Sequence, residues 1–336
     1  MEKVILLKTQ LAESAQFAKS KRFGHNRLAV ILMDNFVEIQ LSGLMGNKFL
    51  LDEISASKGK KYSQERRAKI FSNYDELLKA SIKENIITED EHKLLSFCHG
   101  VRNNLYHKGD EEKLLIRIAT IILQQIIVKY QPFWKSAKNV TSWSKKTNDP
   151  YNSREKSFSH SWNTENDWKS FLNKHFNCID KRTKTASALI SEYLVQKTKE
   201  TKGNMRFIKD EFHIFFQQTK DWNFNDFLIH YSFYNVKHEE IERIKENPNK
   251  AEINIQINRL FLLYKQNWRY KRKDRLAVLE KSFKQFTKLP VEKAIEKFMT
   301  YKEEVKMIHE SFKKAARDLD QIIDEAIDRA REEKVD

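Results

Sequence analysis

The chain has 336 residues, of which 62 are Lys or Arg and 47 are Asp or Glu, and its formal net charge is +15. Seven Gly and four Pro leave few residues for tight turns, which argues against sandwiches, barrels and doubly wound sheets. A surface this basic favours polyanionic partners such as nucleic acid, although composition alone fits a basic protein without such a partner equally well.

The cysteine content and the apolar runs indicate the compartment. Two cysteines without metal-ligand spacing exclude a disulfide framework and indicate a reducing environment. The N-terminal sequence MEKVILLKTQLAESAQ has an acidic second residue and only a short apolar run, so it lacks the features of a secretory signal. No segment approaches about 18 uninterrupted apolar residues. We therefore predict a cytoplasmic protein with no membrane partner.

The first third of the chain has the apolar periodicity of helices. Residues 3–20 and 26–45 carry apolar side chains at three- and four-residue spacing, which predicts two amphipathic helices. A third helix is predicted to start at Ser63 and to run through residue 85. Length alone favours two domains, since a single core rarely serves a chain of this size.

The fourth and fifth helices have clearer sequence signals. Thr88 is followed three residues later by Glu91, which predicts a reciprocal capping box at the start of a helix over residues 89–108. Residues 111–130 are apolar nearly all round, so this segment is predicted to be the central helix of the bundle.

A change of pattern predicts the domain boundary. Residues 136–166 are polar, aperiodic and contain proline, as expected of a linker. The sequence thus predicts an all-α protein with an N-terminal helical bundle (1–135) and a basic, helical C-terminal domain (167–336). Near-heptad apolar spacing in the tail from residue 301 predicts a terminal helix packed on its own domain, with a coiled-coil partner as the alternative.

The fourth helix contains a group of polar residues suited to phosphate chemistry. Arg102 offers a permanently charged, planar fork for a phosphate, and His107 titrates near neutral pH and can exchange protons with a ribose hydroxyl. Asn103 can orient either group by hydrogen bonding. Arg102 and His107 are five residues apart, which on one helix separates them by about 140° and about 7.5 Å along the axis. A second copy of the helix would bring an arginine and a histidine together.

The alternative for these three residues is a polar helix face, or a helix-end histidine that caps a carbonyl. Two other Arg-to-His spacings, Arg154 to His160 and Arg206 to His213, show that the spacing itself arises by chance. Arg102 differs in being followed by an amide on a capped helix. His99 lies on another face and is assigned a structural role.

The sequence VRNNLYHKG, followed by LLIRIATIILQQIIVKY and preceded by RLAVILMDNFVEIQL, resembles the HEPN superfamily (higher eukaryotes and prokaryotes nucleotide-binding domain) over about residues 3–134. The resemblance implies a dimeric helical bundle and a metal-independent endoribonuclease of a toxin, abortive-infection or other antiviral system. It assigns Arg102, Asn103 and His107 to a composite catalytic cleft shared by two copies. No cofactor and no metal are implied.

The resemblance also suggests supporting residues. Family members often carry an acidic residue on an early helix near the cleft, and Asp34 and Glu38 are the candidates here. Tyr106 and Lys108 flank the motif and can contact a base or a phosphate. Gly109 occupies the position at which some family toxins carry a tyrosine that a partner enzyme modifies, so that form of silencing is not expected.

The most basic run of the chain lies in the C-terminal half, between residues 264 and 288. Aromatic and basic side chains alternate in it, as in surfaces that bind single-stranded nucleic acid. The predicted RNA-binding residues are Trp268, Arg269, Lys271, Arg272, Lys273 and Arg275. The alternative is a charged helical surface whose aromatic rings pack inward.

The sequence favours a homodimeric RNA-cleaving enzyme, with an antitoxin or phage-derived protein as a further partner. A HEPN-like adaptor without catalysis, which binds a nucleotide, RNA or a protein, is the alternative. A DNA-binding regulator has less support, because no helix-turn-helix with its turn glycine is evident.

Overall fold

The computed structural model describes residues 2–54, 61–107, 113–130, 151, 165–176, 184–211, 224–268 and 275–332. Every regular element within these ranges is helical and none is a strand, so the predicted all-α fold is confirmed for this part of the chain. The predicted linker lies almost entirely outside these ranges.

Thirteen α-helices and one short 3-10 helix (Gln285–Lys288) lie in the described ranges. The α-helices are α1 (Glu2–Lys19), α2 (Phe23–Ile54), α3 (Gln64–Ser72), α4 (Tyr74–Lys83), α5 (Glu89–His107), α6 (Lys113–Tyr130), α7 (Glu165–His175), α8 (Ala186–Asp210), α9 (Phe224–Val236), α10 (His238–Lys245), α11 (Lys250–Gln266), α12 (Arg275–Lys284) and α13 (Val291–Glu332).

The chain divides into two compact units by its internal contacts. Unit 1 comprises residues 1–190 and 290–296, and unit 2 comprises residues 191–289 and 297–336. Helix α7, which the sequence analysis assigns to the C-terminal domain, falls in unit 1 and packs against α1. There the buried Lys8 ammonium lies 5.5 Å from the ring centroid of Trp168 and 5.7 Å from that of Phe171. Such cation–π contacts compensate in part for the burial of a charge.

Helix α2 is the element around which the α1–α6 region of unit 1 packs. It contacts α1, α4, α5 and α6, whereas the principal neighbours of α6 are α2 and α5. The prediction that residues 111–130 form the central helix is therefore wrong in position, although α6 is largely buried as expected. The physical reason is length, because the 32 residues of α2 provide surface for more neighbours than the 18 of α6.

Helix α2 is also long and apolar enough to cross a membrane by length and composition. Half of its most apolar 18-residue window is buried inside the protein. Core helices of water-soluble bundles pass the same test of length and composition, so this is weak support for a membrane span. Among the described residues, α2 is the one helix with this property.

The third predicted helix is interrupted at Asn73. This residue is extended (φ −135°, ψ 117°), ends α3 and begins α4, and its side chain accepts a hydrogen bond from the Glu76 backbone N–H at 3.1 Å. Asparagine readily forms such caps, which explains why one periodic segment folds as two helices. The predicted start at Ser63 is confirmed, since its hydroxyl accepts a hydrogen bond from the Arg66 N–H at 3.2 Å.

Unit 2 has its own hydrophobic cluster, to which the last helix contributes. Ile308 and Phe312 of α13 are fully buried, and Leu319 is 0% exposed, whereas Ile322 is 39% exposed. The near-heptad apolar face of α13 therefore packs on its own chain as far as Leu319, as predicted for a terminal helix that packs on its own domain. Beyond that point the helix is solvated.

Candidate functional site

Helix α5 begins with the predicted capping box. The Thr88 backbone N–H donates to Glu91 Oε2 at 2.8 Å, and the Glu91 N–H donates to the Thr88 hydroxyl at 3.2 Å. Glu91 also accepts hydrogen bonds from Lys129 at 2.5 Å and from Tyr130, both at the end of α6. The capping box is thus confirmed, and the same carboxylate connects the start of α5 to the end of α6.

The buried stripe of α5 fixes the direction of its polar residues. The stripe consists of Leu94, Leu95, Cys98, Val101 and Leu105, which are at most 6% exposed, as the periodicity predicted. Phe97 is buried as well, whereas the polar residues His99, Arg102 and Asn103 lie at the edge of the buried face.

Arg102 and Asn103 lie at that edge. Both are half-buried, and Arg102 Nη1 donates a hydrogen bond to the Asn103 side-chain oxygen at 3.0 Å. Arg102 Nε lies 3.9 Å from Asp34 Oδ2, and the arginine side chain is 25% exposed. A guanidinium in this position is charged, oriented by two neighbours and still accessible to a phosphate.

Asp34 is the residue of α2 that the site depends on. Its side chain is 0% exposed, and its Oδ2 is 2.8 Å from His99 Nδ1 on α5. At this distance the carboxylate and the ring nitrogen share one hydrogen bond. Asp34 therefore contacts both His99 and Arg102, and the acidic residue that the HEPN resemblance suggested on an early helix lies beside the arginine of the motif.

Tyr74, the first residue of α4, completes the cluster. Its ring stacks on the imidazole of His99, with centroids 3.9 Å apart and planes 16° from parallel. Burial raises the pKa of the Tyr74 hydroxyl well above its ordinary value, and the negative charges of Asp34 and Glu38 raise it further. The hydroxyl is therefore protonated at neutral pH and available as a hydrogen-bond donor.

Glu38 lies one helical turn after Asp34 on the same face of α2 and is half-buried. Its carboxylate, that of Asp34 and the His99 imidazole each place one ligand atom within 4.8 Å of the others. Asp34, Glu38, His99, Tyr74 and Arg102 thus form one polar cluster between α2, α4 and α5. We call it the Asp34 cluster.

The end of α5 is held by a residue that the sequence analysis missed. Arg27 on α2 donates from Nη2 to the Leu105 carbonyl at 2.5 Å. The last carbonyls of a helix lack intrahelical partners and are negative, so a guanidinium there stabilises the final turn. No local pattern marks Arg27, Tyr74 or His99 as members of the site, because each is brought in by tertiary packing.

The remaining motif residues are described only in part. The backbone of Tyr106 and His107 ends α5, while their side chains, and all of Lys108, lie outside the described residues. That the His107 imidazole and the Arg102 guanidinium act in one cleft is therefore still a prediction.

The basic run in the C-terminal half needs one correction. Trp268 is 5% exposed and lies in the hydrophobic cluster of unit 2 with Ile308 and Phe312, so no base can stack on it. The inward-packed alternative describes this residue. Arg275 donates two hydrogen bonds of 2.7 Å to the Glu304 carboxylate, which compensates its charge. The other predicted RNA-binding residues, Arg269, Lys271, Arg272 and Lys273, lie outside the described residues.

Comparison of the chain with protein-family models, with curated proteins and with solved structures gives no match. The resemblance to the HEPN superfamily therefore rests on the motif and on the helices around it, and the family stays a prediction.

Proposed function

We propose that the protein is a cytoplasmic, metal-independent endoribonuclease of the HEPN type, acting in a toxin or antiphage defence system. The observation that supports this most is the position of Arg102. It lies on a half-buried face of α5, hydrogen-bonded to Asn103 and next to the buried Asp34 carboxylate, five residues before His107. The buried Asp34 carboxylate behind the arginine, which also pairs with His99 at 2.8 Å, distinguishes this position from a solvated helix face.

The proposed chemistry is transesterification within the RNA strand. His107 removes the proton from a ribose 2′-hydroxyl, and the 2′-oxygen attacks the adjacent phosphorus. The bond to the 5′-oxygen breaks, and that oxygen takes a proton from a second imidazole, which leaves a cyclic phosphate and a free 5′-hydroxyl. Arg102 stabilises the negative charge that grows on the phosphoryl oxygens.

Asp34 has a positioning role in this scheme. Its oxygen lies 3.9 Å from Arg102 Nε, on the buried side of the guanidinium. The attraction limits the orientations of the arginine, which reduces the entropy lost when a phosphate is bound. Asn103, which accepts a hydrogen bond from Nη1, restricts the same group from a second direction.

A composite site accounts for the spacing of Arg102 and His107, which on one helix keeps the two side chains apart. On a single helix the two side chains diverge by about 140°. In a two-fold dimer the arginine of one copy and the histidine of the other can face the same phosphodiester. The dimer also supplies a second imidazole, which can protonate the leaving 5′-oxygen.

The test uses total RNA incubated with the purified full-length chain in EDTA. We expect cleavage by the wild type, and a loss of about 100-fold or more for Arg102→Ala and for His107→Ala. The matched control is His92→Gln, which removes another histidine of α5 whose ring pairs with Asp75 at 3.5 Å. An absence of cleavage by the wild type, or equal cleavage by all four proteins, would refute the nuclease.

The composite site has a separate test. A mixture of Arg102→Ala and His107→Ala chains forms heterodimers that retain one intact arginine and one intact histidine on different copies. This heterodimer has one imidazole instead of two, so water must supply the proton to the leaving 5′-oxygen and we expect partial recovery of cleavage relative to either variant alone. Such recovery supports a shared cleft. If only a monomeric fraction of the protein cleaves RNA, the mechanism does not use a dimer.

The alternative is a HEPN-like adaptor without catalysis, and helix α11 is the observation that favours it. None of its residues is buried, and Ile255, Leu262 and Leu263 are between 52% and 67% exposed within the described part of the chain. Exposed aliphatic groups on one helix are typical of a surface that binds another protein. RNA bound without cleavage, with an affinity that falls steeply with salt, would identify this alternative.

A further inference from the structure

The Asp34 cluster contains a set of side chains that matches a metal site. Asp34 and Glu38 are four residues apart on α2, so both carboxylates leave the helix on the same face, and His99 reaches the same point from α5. One ligand atom of each lies within 4.8 Å of the other two. Two rigid helices thus hold one imidazole and two carboxylates together.

A second observation points to a missing ligand. Asp34 is 0% exposed, yet its Oδ1 accepts no hydrogen bond from any residue that the structure describes. The buried hydroxyl oxygen of Tyr74, whose ring stacks on His99, has no hydrogen-bond partner in that part of the chain either. A buried polar atom left unsatisfied costs about 1–3 kcal/mol, and more if it is charged. Two such atoms within the Asp34 cluster leave polar capacity there unused.

We infer that Asp34, Glu38 and His99 bind one divalent first-row transition-metal ion, of which Zn²⁺ is the representative. An imidazole among the ligands favours such ions over Mg²⁺ and Ca²⁺, which prefer all-oxygen sites. Three protein ligands leave a fourth tetrahedral position open for water.

The distances are compatible with coordination. Zn–O and Zn–N bonds of about 2.0–2.2 Å place neighbouring ligand atoms about 3.4 Å apart in a tetrahedral site. The Asp34 Oδ2 and His99 Nδ1 atoms are 2.8 Å apart, slightly closer than this. For a metal ion to replace the proton between these two atoms, the atoms need to move apart by only a fraction of an ångström. Glu38, which is half-buried, has the freedom to close the remaining gap.

The charges also favour a dication. Asp34 and Glu38 contribute two negative charges, and Arg102, with Nε 3.9 Å from Asp34 Oδ2, contributes one positive charge. The cluster is therefore anionic when His99 is neutral, which is the form that binds metals. Arg102 weakens the attraction but does not cancel it. The metal titration contains no RNA and the cleavage assay contains EDTA, so each of the two proposals can fail without the other.

The experiment measures metal binding by the full-length chain after chelator treatment and dialysis. Zn²⁺ is titrated calorimetrically, and Co²⁺ is titrated in parallel because its visible absorption reports a low-coordination nitrogen and oxygen environment. We expect one tight equivalent of metal per chain. Glu38→Gln and His99→Gln should each weaken this equivalent at least tenfold and reduce the Co²⁺ absorption.

The matched control is again His92→Gln, since His92 lies on the same helix and contacts a single carboxylate. It should bind the metal as the wild type does. Equal affinity in all four proteins would place the metal at other histidines and overturn the inference, and so would the absence of a tight equivalent in the wild type. Circular dichroism verifies that each variant is folded, and Glu38→Gln, a half-buried isosteric change, decides the matter if His99→Gln does not fold.

Discussion

Replacement of Glu91 by alanine tests the contact that connects the start of α5 to the end of α6. The Glu91 carboxylate closes the capping box with Thr88 and accepts hydrogen bonds from Lys129 and Tyr130. Because α5 carries Arg102 and His99, this one side chain determines how firmly the helix of the candidate site is held at its first turn.

The magnitude follows from the individual contacts. Loss of the capping contribution costs about 1 kcal/mol. The hydrogen bond from Tyr130 to a charged group adds about 1.5 kcal/mol. The ion pair with Lys129, whose side chain is 61% exposed, adds only about 0.5 kcal/mol because solvent screens it. We expect Glu91→Ala to lower the stability of unit 1 by about 3 kcal/mol and its Tm by about 6–12 °C.

The effect should depend on pH in a defined direction. Burial raises the pKa of Glu91, but the hydrogen bonds from Lys129, Tyr130 and Thr88 outweigh it, and the net pKa is lowered. A carboxylate with a lowered folded-state pKa stabilises the protein above its unfolded value of about 4.3. That stabilisation is lost as the pH falls below this value. The difference in Tm between wild type and Glu91→Ala should therefore shrink in acid.

Thermal unfolding followed by circular dichroism provides the measurement, and Glu89→Ala is the control. Glu89 is exposed in the same first turn, so its removal changes the helix dipole interaction without breaking the network. A Tm for Glu91→Ala within about 2 °C of the control, or a difference that grows as the pH falls, would refute the reasoning.

Three further predictions concern the two cores and the ion pairs of Glu280. Ile122→Ala, at a position 0% exposed in α6, should destabilise by about 2–5 kcal/mol, whereas Val128→Ala, at 39% exposure, should cost much less in the same urea titration. Trp268→Ala should leave a cavity in the core of unit 2, lower its stability by about 3–5 kcal/mol and lower its Tm. Trp268→Phe should lower the stability less and leave RNA affinity unchanged. Hydrogen bonds from Lys202 and Lys284 lower the pKa of Glu280 to about 2. Glu280→Gln should therefore be less stable than the wild type near neutral pH, and this difference in stability should disappear as the pH is lowered to that value.

Sequence alone determined the features that depend on local chemistry. The scarcity of Gly and Pro and the three- and four-residue apolar spacing determine an all-α chain, since each helix is specified by its own residues. The start of α5 follows from Thr88 and Glu91, whose reciprocal hydrogen bonds form within a single turn. The buried stripe of the same helix was predictable for the same reason.

Only the tertiary structure decided which distant residues meet. Asp34 was one of two acidic candidates on an early helix, and packing of α2 against α5 is what brings it to His99 and Arg102. Tyr74 joins them because Asn73 breaks a segment whose periodicity predicted one continuous helix. Trp268 is buried although its basic neighbours suggested a nucleic-acid surface. Burial and the pairing of side chains across helices depend on the whole chain, and no local spacing encodes them.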